Sequence, residues 1–435
     1  MAWFFEKKKE ISQKEIEALA LKSAEECLKK ISKNCKNPKK ILLLPPDITR
    51  AHSGCGRITE ILYNYFEKKS EVFVMPTLGQ HIPHSEEQNK KVFGTIPENR
   101  ILKHDPIHDV EKIGEIPADY VKKVTFGAAD WKIPIEINKI LLTNDWDIII
   151  NIGHVVPHEV LGFASYNKNY LIGLGGTATI SSTHIASACC GIENILGSIV
   201  SPIRECLNKA EKDFFIGLPF AYIQVVMALN DDGKLAHTGF YCGNDFETYL
   251  LAANQAMQEN IAVVPPIKKI VAVMGKDEFE STWVANKAIY RTRKALADNG
   301  ELIIIAPGLK RFGENQEADE VIREYGYAGR DKILAAWKKD KKLQEMAHIT
   351  AHLIHGSSDQ RFKICYAPGY LSKKDIESVN YNYLDPAETL KKYPIEEMKY
   401  GFNTMADGEE VYFINSPASG LWTTKEKNRL GKIAT

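Results

Sequence analysis

The sequence of 435 residues lacks the features that mark membrane-spanning, nucleic-acid-binding and disulfide-stapled proteins. It has no run of about 18 or more apolar residues, so we expect no transmembrane helix. Its 56 basic and 56 acidic side chains cancel, so no excess charge attracts nucleic acid or an anionic membrane. Its eight cysteines are scattered without a CxxC pair, which indicates reduced thiols and a cytoplasmic location.

Targeting signals, internal repeats and low-complexity segments are lacking as well. The apolar run Trp3-Phe4-Phe5 is too short for the core of a signal peptide, and lysines follow it at once. The composition is that of an ordinary globular protein, with 44% hydrophobic and 26% charged residues.

Chain length and the order of apolar segments predict two α/β domains, each with a mainly parallel sheet and flanking helices. We assign residues 1–264 to a cofactor-binding domain, because two prolines after Val263-Val264 precede a new strand. Residues 265–415 form the second α/β domain, and the tail, 416–435, is expected to return to the first. We expect the active site in the cleft between the domains.

The spacing of apolar residues locates the main elements. Strands are predicted at 40–44, 71–75, 146–150, 213–230, 268–274, 301–308, 363–367 and 410–414. Helices are predicted at 14–30, 57–68, 246–260 and 281–299 and around three histidines at 348, 352 and 355. A hairpin turn is predicted at 231–233.

Polar residues follow two of the predicted strands. Two prolines end the strand at 40–44, and Asp47, Thr49 and Arg50 come next. An arginine at a strand's carboxyl end can bind a carboxylate or a phosphate through two parallel hydrogen bonds, although an ordinary turn with an exposed arginine is the alternative. The strand at 71–75 is followed by a turn that carries His81, with His84 as a weaker candidate.

The stretch 151–184 carries His158, Lys168 and His184, which are ten and sixteen residues apart. Polar groups after a strand, followed by a glycine-rich turn, are typical of ligand sites in open α/β sheets. A histidine in this place is often a capping or packing residue instead. The glycine-rich turn at 173–176 either binds a phosphate or is an ordinary tight turn. It does not match the GxGxxG fingerprint of dinucleotide-binding sites, so the sequence leaves both alternatives open.

The sequence Pro157-His158, with Lys168 and His184 at these intervals, resembles the nickel-pincer nucleotide-dependent lactate racemase family. The resemblance implies that Lys168 bonds covalently to the cofactor, a pyridinium thioamide/thiocarboxylate mononucleotide that carries nickel. It also implies that His184 ligates the nickel and that His158 is a catalytic acid/base.

The resemblance extends to residues that precede and follow this stretch in the sequence. The Asp-x-Thr-Arg sequence at 47–50 is similar to the family's, which implies that Arg50 holds the substrate carboxylate and that Asp47 and Thr49 bind the nucleotide. His81 takes the place of the second acid/base. Lys287, in the second domain, takes the place of a lysine that contacts the substrate.

Three departures from the family pattern concern the substrate and the pocket. Ile82 stands where the family has arginine, and Trp283-Val284 replaces its Tyr-Gln pair. Ala164-Ser165-Tyr166 replaces Ser-Gly-Gly before the lysine. Because glycines allow a backbone to approach a cofactor closely, Tyr166 is expected either to point away or to reshape the pocket.

The implied function is a racemase or epimerase that inverts carbon 2 of a lactate-like or longer hydroxy or sugar acid. Hydride transfer through a 2-keto acid avoids a carbanion, and inversion requires an acid/base for each orientation of the hydroxyl, a role that suits histidine. The partners implied are the small-molecule substrate and the proteins that synthesise the cofactor. The alternatives are a metal-dependent hydrolase or lyase built on His81, His158 and His184, and a non-catalytic nickel- or nucleotide-binding protein.

Five further histidines receive other interpretations. His104 and His108 are assigned to the surface, because nearby prolines disfavour the helix that would align them. His348, His352 and His355 share one face of a predicted helix and mimic a metal site, but the glutamate of a zincin motif is missing. Exposed or capping roles are therefore predicted for these three.

Overall fold

The structure is a computed structural model that describes residues 2–31, 38–143, 145–230 and 234–428. The chain divides into two compact units, Met1–Cys190 with Ile195–Asn260, and Gly191–Asn194 with Ile261–Thr435. The hairpin turn predicted at 231–233 lies outside the described residues. No helix in the described ranges combines the length and apolar character needed to cross a bilayer.

The first unit contains ten described strands and most of the helices that precede residue 261. The strands are β1 Ala2–Lys7, β2 Lys40–Leu44, β3 Glu71–Val74, β4 Val110–Ile116, β5 Ile133–Asn138, β6 Ile148–His154, β7 Pro157–His158, β8 Gly162–Phe163, β9 Phe220–Leu229 and β10 Leu235–Gly243. The helices up to residue 260 are α1 Gln13–Lys30, α2 Cys55–Phe66, α3 Glu86–Phe93, α4 Ala118–Val124, α5 Asn167–Leu171, α6 Thr177–Cys190, α7 Ile192–Ile195, α8 Pro202–Phe214 and α9 Phe246–Asn260.

The main sheet of the first unit has the order β1-β10-β9-β6-β2-β3. Strands β9, β6, β2 and β3 are parallel, whereas β10 and β1 pair antiparallel at one edge. Leu43 pairs with both Ile150 and Val74. The carboxyl ends of β2, β3 and β6 therefore meet at one edge, where their loops can build a common site.

One face of this sheet is apolar. Residues such as Ile41, Leu43, Ile150 and Ile152 pack in a cluster with side chains of the helices α1 and α2. The burial alternates along α1, which begins with a capping box at Ser12, as expected for an amphipathic surface helix.

The second unit is also organised around a mainly parallel sheet. Its strands are β11 Ile261–Val263, β12 Ile267–Val273, β13 Leu296–Ala306, β14 Phe362–Pro368, β15 Asn382–Tyr383, β16 Gly401–Thr404, β17 Glu410–Ile414 and β18 Leu421–Thr423. Its helices are α10 Thr282–Ala285, α11 Lys287–Thr292, α12 Gln316–Tyr325, α13 Arg330–Trp337, α14 Lys341–Glu345, α15 Ala347–His355, α16 Lys373–Ser378 and α17 Pro386–Lys392. The order is β15-β14-β13-β12-β17-β16, with only β16 antiparallel. The predicted α/β class with mainly parallel sheets is confirmed.

Several predicted elements are wrong in type or extent. The helix predicted at 281–299 is two short helices that meet at Asn286, and β13 already begins at Leu296. Almost every residue of α11 is buried, so its sequence carries no amphipathic stripe. Residues 213–214 end α8 rather than begin a strand, and the strand predicted to begin there starts at Phe220.

The described part of the tail lies in the second unit. Strand β18 pairs parallel with β11, and both belong to that unit. Residues 429–435 lie outside the described ranges.

The predicted exposure of three histidines is wrong, because His104, His352 and His355 are all buried. His104 is buried, and its ring nitrogens contact the Gly175 carbonyl at 3.2 Å and the Asn138 amide at 3.0 Å. His352 is buried between the hydroxyls of Tyr290 and Tyr327, both at 2.9 Å. Hydrogen bonds to polar partners offset the cost of burying these two rings. The spacing of residues along the sequence does not reveal such partners.

Candidate functional site

The turn after β2 places Asp47, Thr49 and Arg50 at the carboxyl edge of the first sheet. The Asp47 carboxylate accepts hydrogen bonds from the Thr49 amide at 3.1 Å and the Thr49 hydroxyl at 2.6 Å, which caps a short 3₁₀ helix, Ile48–Ser53. Arg50 is half-buried, and its guanidinium donates no hydrogen bond to another described residue. Its donors are thus available to an anionic ligand.

His81 lies beside Asp47 because β2 and β3 are parallel neighbours, and Pro46 and Thr77 extend their pairing. Nδ1 of His81 donates to the Asp47 carboxylate. Burial alone would raise the pKa of Asp47, but the charge and hydrogen bond of His81, the Thr49 hydrogen bond and the Arg50 charge hold that pKa below its usual range. Asp47 therefore stays ionised, and because Nδ1 donates to it, the lone pair of the neutral His81 tautomer is on Nε2.

His84 is a structural residue. Its Nε2 accepts the Ile48 amide hydrogen at 2.9 Å, and its Nδ1 contacts the Asn89 side-chain oxygen at 3.0 Å. Both ring nitrogens are therefore used in holding the loops after β2 and β3.

His158 follows β6 at the same edge and differs from His81 in protonation. Its Nδ1 accepts the Val160 amide hydrogen at 3.2 Å, so neutral His158 carries its proton on Nε2. That Nε2 lies 3.9 Å from a carboxylate oxygen of Glu159. In their neutral tautomers the two predicted acid/bases therefore differ at Nε2, which carries the lone pair in His81 and the proton in His158.

Lys168 lies in the short helix α5 and is half-buried. Burial, aided by the charges of Arg50 and Arg204, lowers the pKa of Lys168 to about 8, whereas the charges of Asp47 and Glu159 oppose the shift. Among the described residues, its amine has no hydrogen-bond partner. An amine of this kind is partly neutral near pH 7, which is the state that reacts as a nucleophile.

His184 lies on α6 with Nδ1 tied to the backbone, since it donates to the Ile180 carbonyl at 2.7 Å. Burial lowers the pKa of His184 to about 4, although the Ile180 hydrogen bond and the Glu159 charge oppose the shift. The ring is therefore neutral at physiological pH with its lone pair on Nε2. This is the form in which histidine ligates a metal ion.

The loop before Lys168 adopts the backbone conformation that glycines favour, without having glycines. Ser165 and Tyr166 have φ values of 75° and 59°. Left-handed conformations cost about 1 kcal/mol or more for each non-glycine residue. The Tyr166 ring is buried against Tyr222 and Tyr249, with centroids 4.5 and 5.5 Å away, so it lies in the interior of the unit.

The glycine-rich turn at 173–176 is a tight turn, not a phosphate cradle. The amide of Gly176 donates to the Glu136 carbonyl, and the Glu136 carboxylate accepts from the Ala178 amide at the start of α6. The helix N-terminus is thus already occupied by a side chain of this protein.

Lys287 belongs to the second unit and begins α11. It is half-buried, and its amine lies 5.6 Å from the centroid of the Phe279 ring. Trp283, one turn earlier, stacks on His352 with centroids 4.3 Å apart. The ring that replaces a tyrosine in the family pattern is therefore held by the second unit itself.

The first unit links most of its predicted site residues, and His158 joins them only through its neighbour Glu159, whose charge acts on Lys168 and His184. Charges and hydrogen bonds link Asp47 with Thr49, Arg50 and His81, and link Lys168 and His184 to them.

Two further residues of this neighbourhood were missed. Glu159 was overlooked although it adjoins His158, and its position after a Pro-His pair was the available signal. Arg204 lies on an amphipathic helix far along the chain, where no local pattern distinguishes it from a surface arginine.

Comparisons with known proteins identify a matching family model and similar folds. Residues 5–193 match the family model of the lactate racemase N-terminal domain. A crystal structure of a Thermotoga maritima protein is similar over 96% of this chain and 100% of its own, with a TM-score of 0.79 and 23% identity. No curated protein sequence matches the chain.

The structure of the lactate racemase apoprotein from Thermoanaerobacterium thermosaccharolyticum is also similar. The likeness covers 96% of this chain and 94% of that one, with a TM-score of 0.67 and 15% identity. The two likenesses concern the fold, whereas the family match concerns the sequence that carries the site. The resemblance seen in the sequence is therefore confirmed over residues 5–193, which match the lactate racemase N-terminal domain.

Proposed function

We propose that this protein is a 2-hydroxy acid racemase or epimerase that works with a nickel-pincer nucleotide attached to Lys168. The observation that carries the proposal is the Lys168 amine, which is half-buried, has a pKa lowered to about 8 and lacks a hydrogen-bond partner among the described residues. A lysine in this state suits covalent attachment of a cofactor better than a structural role.

The residues around Lys168 fit such a group. His184 offers a neutral imidazole with its lone pair on Nε2, which suits nickel. Asp47 and Thr49 border the same turn and would bind the nucleotide. The chemistry that the group supplies when bound is the reversible storage of a hydride.

The remaining residues of the first unit would bind and orient the substrate and move its hydroxyl proton. Arg50 would hold the carboxylate through two parallel hydrogen bonds. His81, with its lone pair on Nε2, would accept the hydroxyl proton of one enantiomer, and His158, with its proton on Nε2, would donate to the keto oxygen as the other enantiomer forms. Exchanging these roles runs the reaction in reverse.

The substrate is a lactate-like or longer hydroxy or sugar acid. Lys287 would steady the oxygen on carbon 2. Ile82, which is 57% exposed one residue after His81, offers an apolar surface where the family pattern has an arginine. This exchange favours a substrate without a second anionic group near that position.

A zinc hydrolase built on His81, His158 and His184 receives no support. Within the described ranges, no three side chains of the kinds that ligate metals are grouped as a metal site. One histidine suffices in the proposed arrangement, because the nucleotide would supply the other ligands.

The test begins with protein purified from cells that contain the cofactor-synthesising proteins and therefore make the pincer cofactor. Intact mass, nickel content and peptide mapping are expected to reveal an adduct on Lys168 with near-equimolar nickel. Lys168→Ala should lose the adduct, whereas Lys209→Ala, which removes a lysine paired with Asp213, should keep it. Loaded protein is then screened for inversion at carbon 2 of 2-hydroxy acids.

An unmodified Lys168 without nickel, in cells where a known family member loads normally, would overturn the proposal. Loading without inversion of any 2-hydroxy acid would favour a non-catalytic binding protein.

A further inference from the structure

Arg204 on α8 is a buried cation beneath the candidate site. It has 0% relative exposure, although arginine is rarely buried completely. Its guanidinium donates to the carbonyl of Phe163 at 2.8 Å, to the carbonyl of Ser165 at 3.3 Å and to the side-chain oxygen of Asn167. All these acceptors lie in the five residues before Lys168.

The acceptors of Arg204 are neutral, which is unusual for a buried guanidinium. Among the described residues it forms no salt bridge, and its carbon Cζ lies 4.5 Å from the centroid of the Tyr249 ring. Burial of a charge without a carboxylate is unfavourable, so global stability alone gives no reason for a cation here. The hydrogen-bonding geometry of arginine does give a reason for its presence, because the planar guanidinium can donate to several carbonyls at once.

The backbone that Arg204 holds is the left-handed segment at Ser165 and Tyr166. Two asparagines hold the same segment from the other side. Asn151 donates to the Tyr166 carbonyl at 2.8 Å, and Asn169 donates to the Asn151 side-chain oxygen at 2.7 Å. A strained segment persists only where its surroundings fix it on all sides.

Lys168 is therefore held through both of its chain neighbours. Asn167 bonds to Arg204, and through its amide to Asn208 at 2.8 Å and to Glu211 at 3.0 Å. Asn169, on the other side, is tied to β6 through Asn151 and through the carbonyl of Ile152 at 3.2 Å.

We propose that Arg204 is a positioning residue for Lys168: its guanidinium fixes the strained loop 163–167 so that the lysine amine is presented to the group it binds. The inference rests on the proposed function only for the identity of that group. The charge of Arg204 has a second effect, because it acts with burial and with Arg50 against protonation of the amine, while Asp47 and Glu159 oppose both cations.

The test measures the reactivity of Lys168 in the apoprotein, which requires no cofactor. Limiting acetylation between pH 6 and 11, read by mass spectrometry, gives the pH midpoint and the plateau rate for Lys168, with exposed Lys212 as the internal reference. The wild-type midpoint is expected near 8. Arg204→Met should raise the midpoint, because a cation that opposes protonation is lost, and should change the plateau rate severalfold, because the loop is no longer fixed.

Two variants separate positioning from general damage. Arg204→Lys keeps the charge but loses the fork, so its midpoint should stay near that of wild type while its plateau rate changes severalfold. Gln255→Met removes a buried polar side chain of the same unit, which bonds to the Thr238 carbonyl at 2.9 Å, and should leave the labelling of Lys168 unchanged.

The inference is overturned if both Arg204 variants show the midpoint and plateau of wild type. If Arg204→Met does not fold, the plateau of Arg204→Lys decides, since a wild-type plateau there contradicts positioning. An absence of any adduct on Lys168 in loaded cells would sink the proposed function and leave the labelling result standing.

Discussion

At the scale of single residues, the site depends on which nitrogen of each histidine carries the proton. Asp47 fixes the proton of His81 on Nδ1, whereas the Val160 amide fixes that of His158 on Nε2. Sequence patterns place the histidines but do not specify these partners. The tautomers follow only once the carboxyl ends of β2, β3 and β6 are aligned.

Asp47→Asn tests the first of these partners. The amide can donate to His81, which would move the ring proton to Nε2 and remove the base, so the rate of carbon-2 inversion should fall on the order of 10³-fold. Nitrogen chemical shifts of His81 in the apoprotein report the tautomer directly. Asp105→Asn is the matched control, because Asp105 contacts His108 at 2.9 Å on the surface and its loss should change neither readout.

His184→Asn tests the neutral imidazole. The pKa of His184 falls from 6.5 in the unfolded chain to about 4 in the fold, so the fold is destabilised progressively as the pH falls from 6.5 through 4. The variant lacks this penalty. As the pH is lowered from 7 to 4.5, its free energy of unfolding should therefore rise by about 2 kcal/mol relative to that of wild type. Urea unfolding at the two pH values measures the gain, and an equal difference at both would contradict a buried neutral ring.

At the scale of elements, the loop 163–167 and the strand β6 fit each other closely. A Cβ on Gly153 would lie 1.7 Å from the Ser165 hydroxyl oxygen and 2.8 Å from the Asn169 amide nitrogen. Glycine at 153 thus makes room for Ser165, which stands where the family pattern has a glycine. Gly153 and Ser165 are therefore coupled by their close approach.

Gly153→Ala should consequently destabilise the fold by about 2–3 kcal/mol. Ser165→Gly removes the clash and the left-handed strain, so the double variant should recover more than 1 kcal/mol of that loss. Chemical denaturation of the four proteins in this cycle gives the coupling energy. Gly275→Ala, whose added Cβ meets no atom closer than 3.8 Å, should be close to neutral. Additive effects in the cycle would refute this coupling.

The elements also show where sequence reasoning succeeds and where it fails. Strands β2 and β17 and helix α9 were predicted at their observed bounds, because each has a clear period and clear stop signals. The segment 281–299 was misassigned, since a fully buried helix and a buried strand have similar compositions. The candidate site residues were predicted from motif spacing and the family resemblance, whereas Arg204 donates mainly to backbone carbonyls, which every residue has, and so leaves no signature.

At the scale of the whole molecule, the notable feature is that Gly191–Asn194 belongs to the second unit. Glu193 holds it there through Arg293 at 3.3 Å and Arg361 at 2.8 Å. Burial opposes ionisation of Glu193, but the charges of Arg293, Arg361 and Lys427 outweigh it and lower its pKa. The Arg293 side chain is only 3% exposed, so this pair is the buried part of a larger charge network.

Glu193→Gln should destabilise the second unit by about 2 kcal/mol at pH 7, because it leaves the buried Arg293 with less compensation. The lowered pKa means that the stabilisation is present above 4.5 and is lost as the pH falls further, so the difference from wild type should shrink in acid. Unfolding curves at pH 7 and pH 4 test both statements. Asp298→Asn, which removes an exposed partner of Arg361, should cost under about 0.5 kcal/mol.

The position of Gly191–Asn194 in the sequence also determines the order in which it and its partners are synthesised. Glu193 leaves the ribosome 100 residues before Arg293 and 168 residues before Arg361. At about 5–20 residues per second, the wait for Arg293 alone is on the order of 10 s. The early part of the chain can fold while it is being made. The second unit, however, includes Gly191–Asn194, which is synthesised long before its partners Arg293 and Arg361. The second unit can therefore finish folding only when most of the chain has been made.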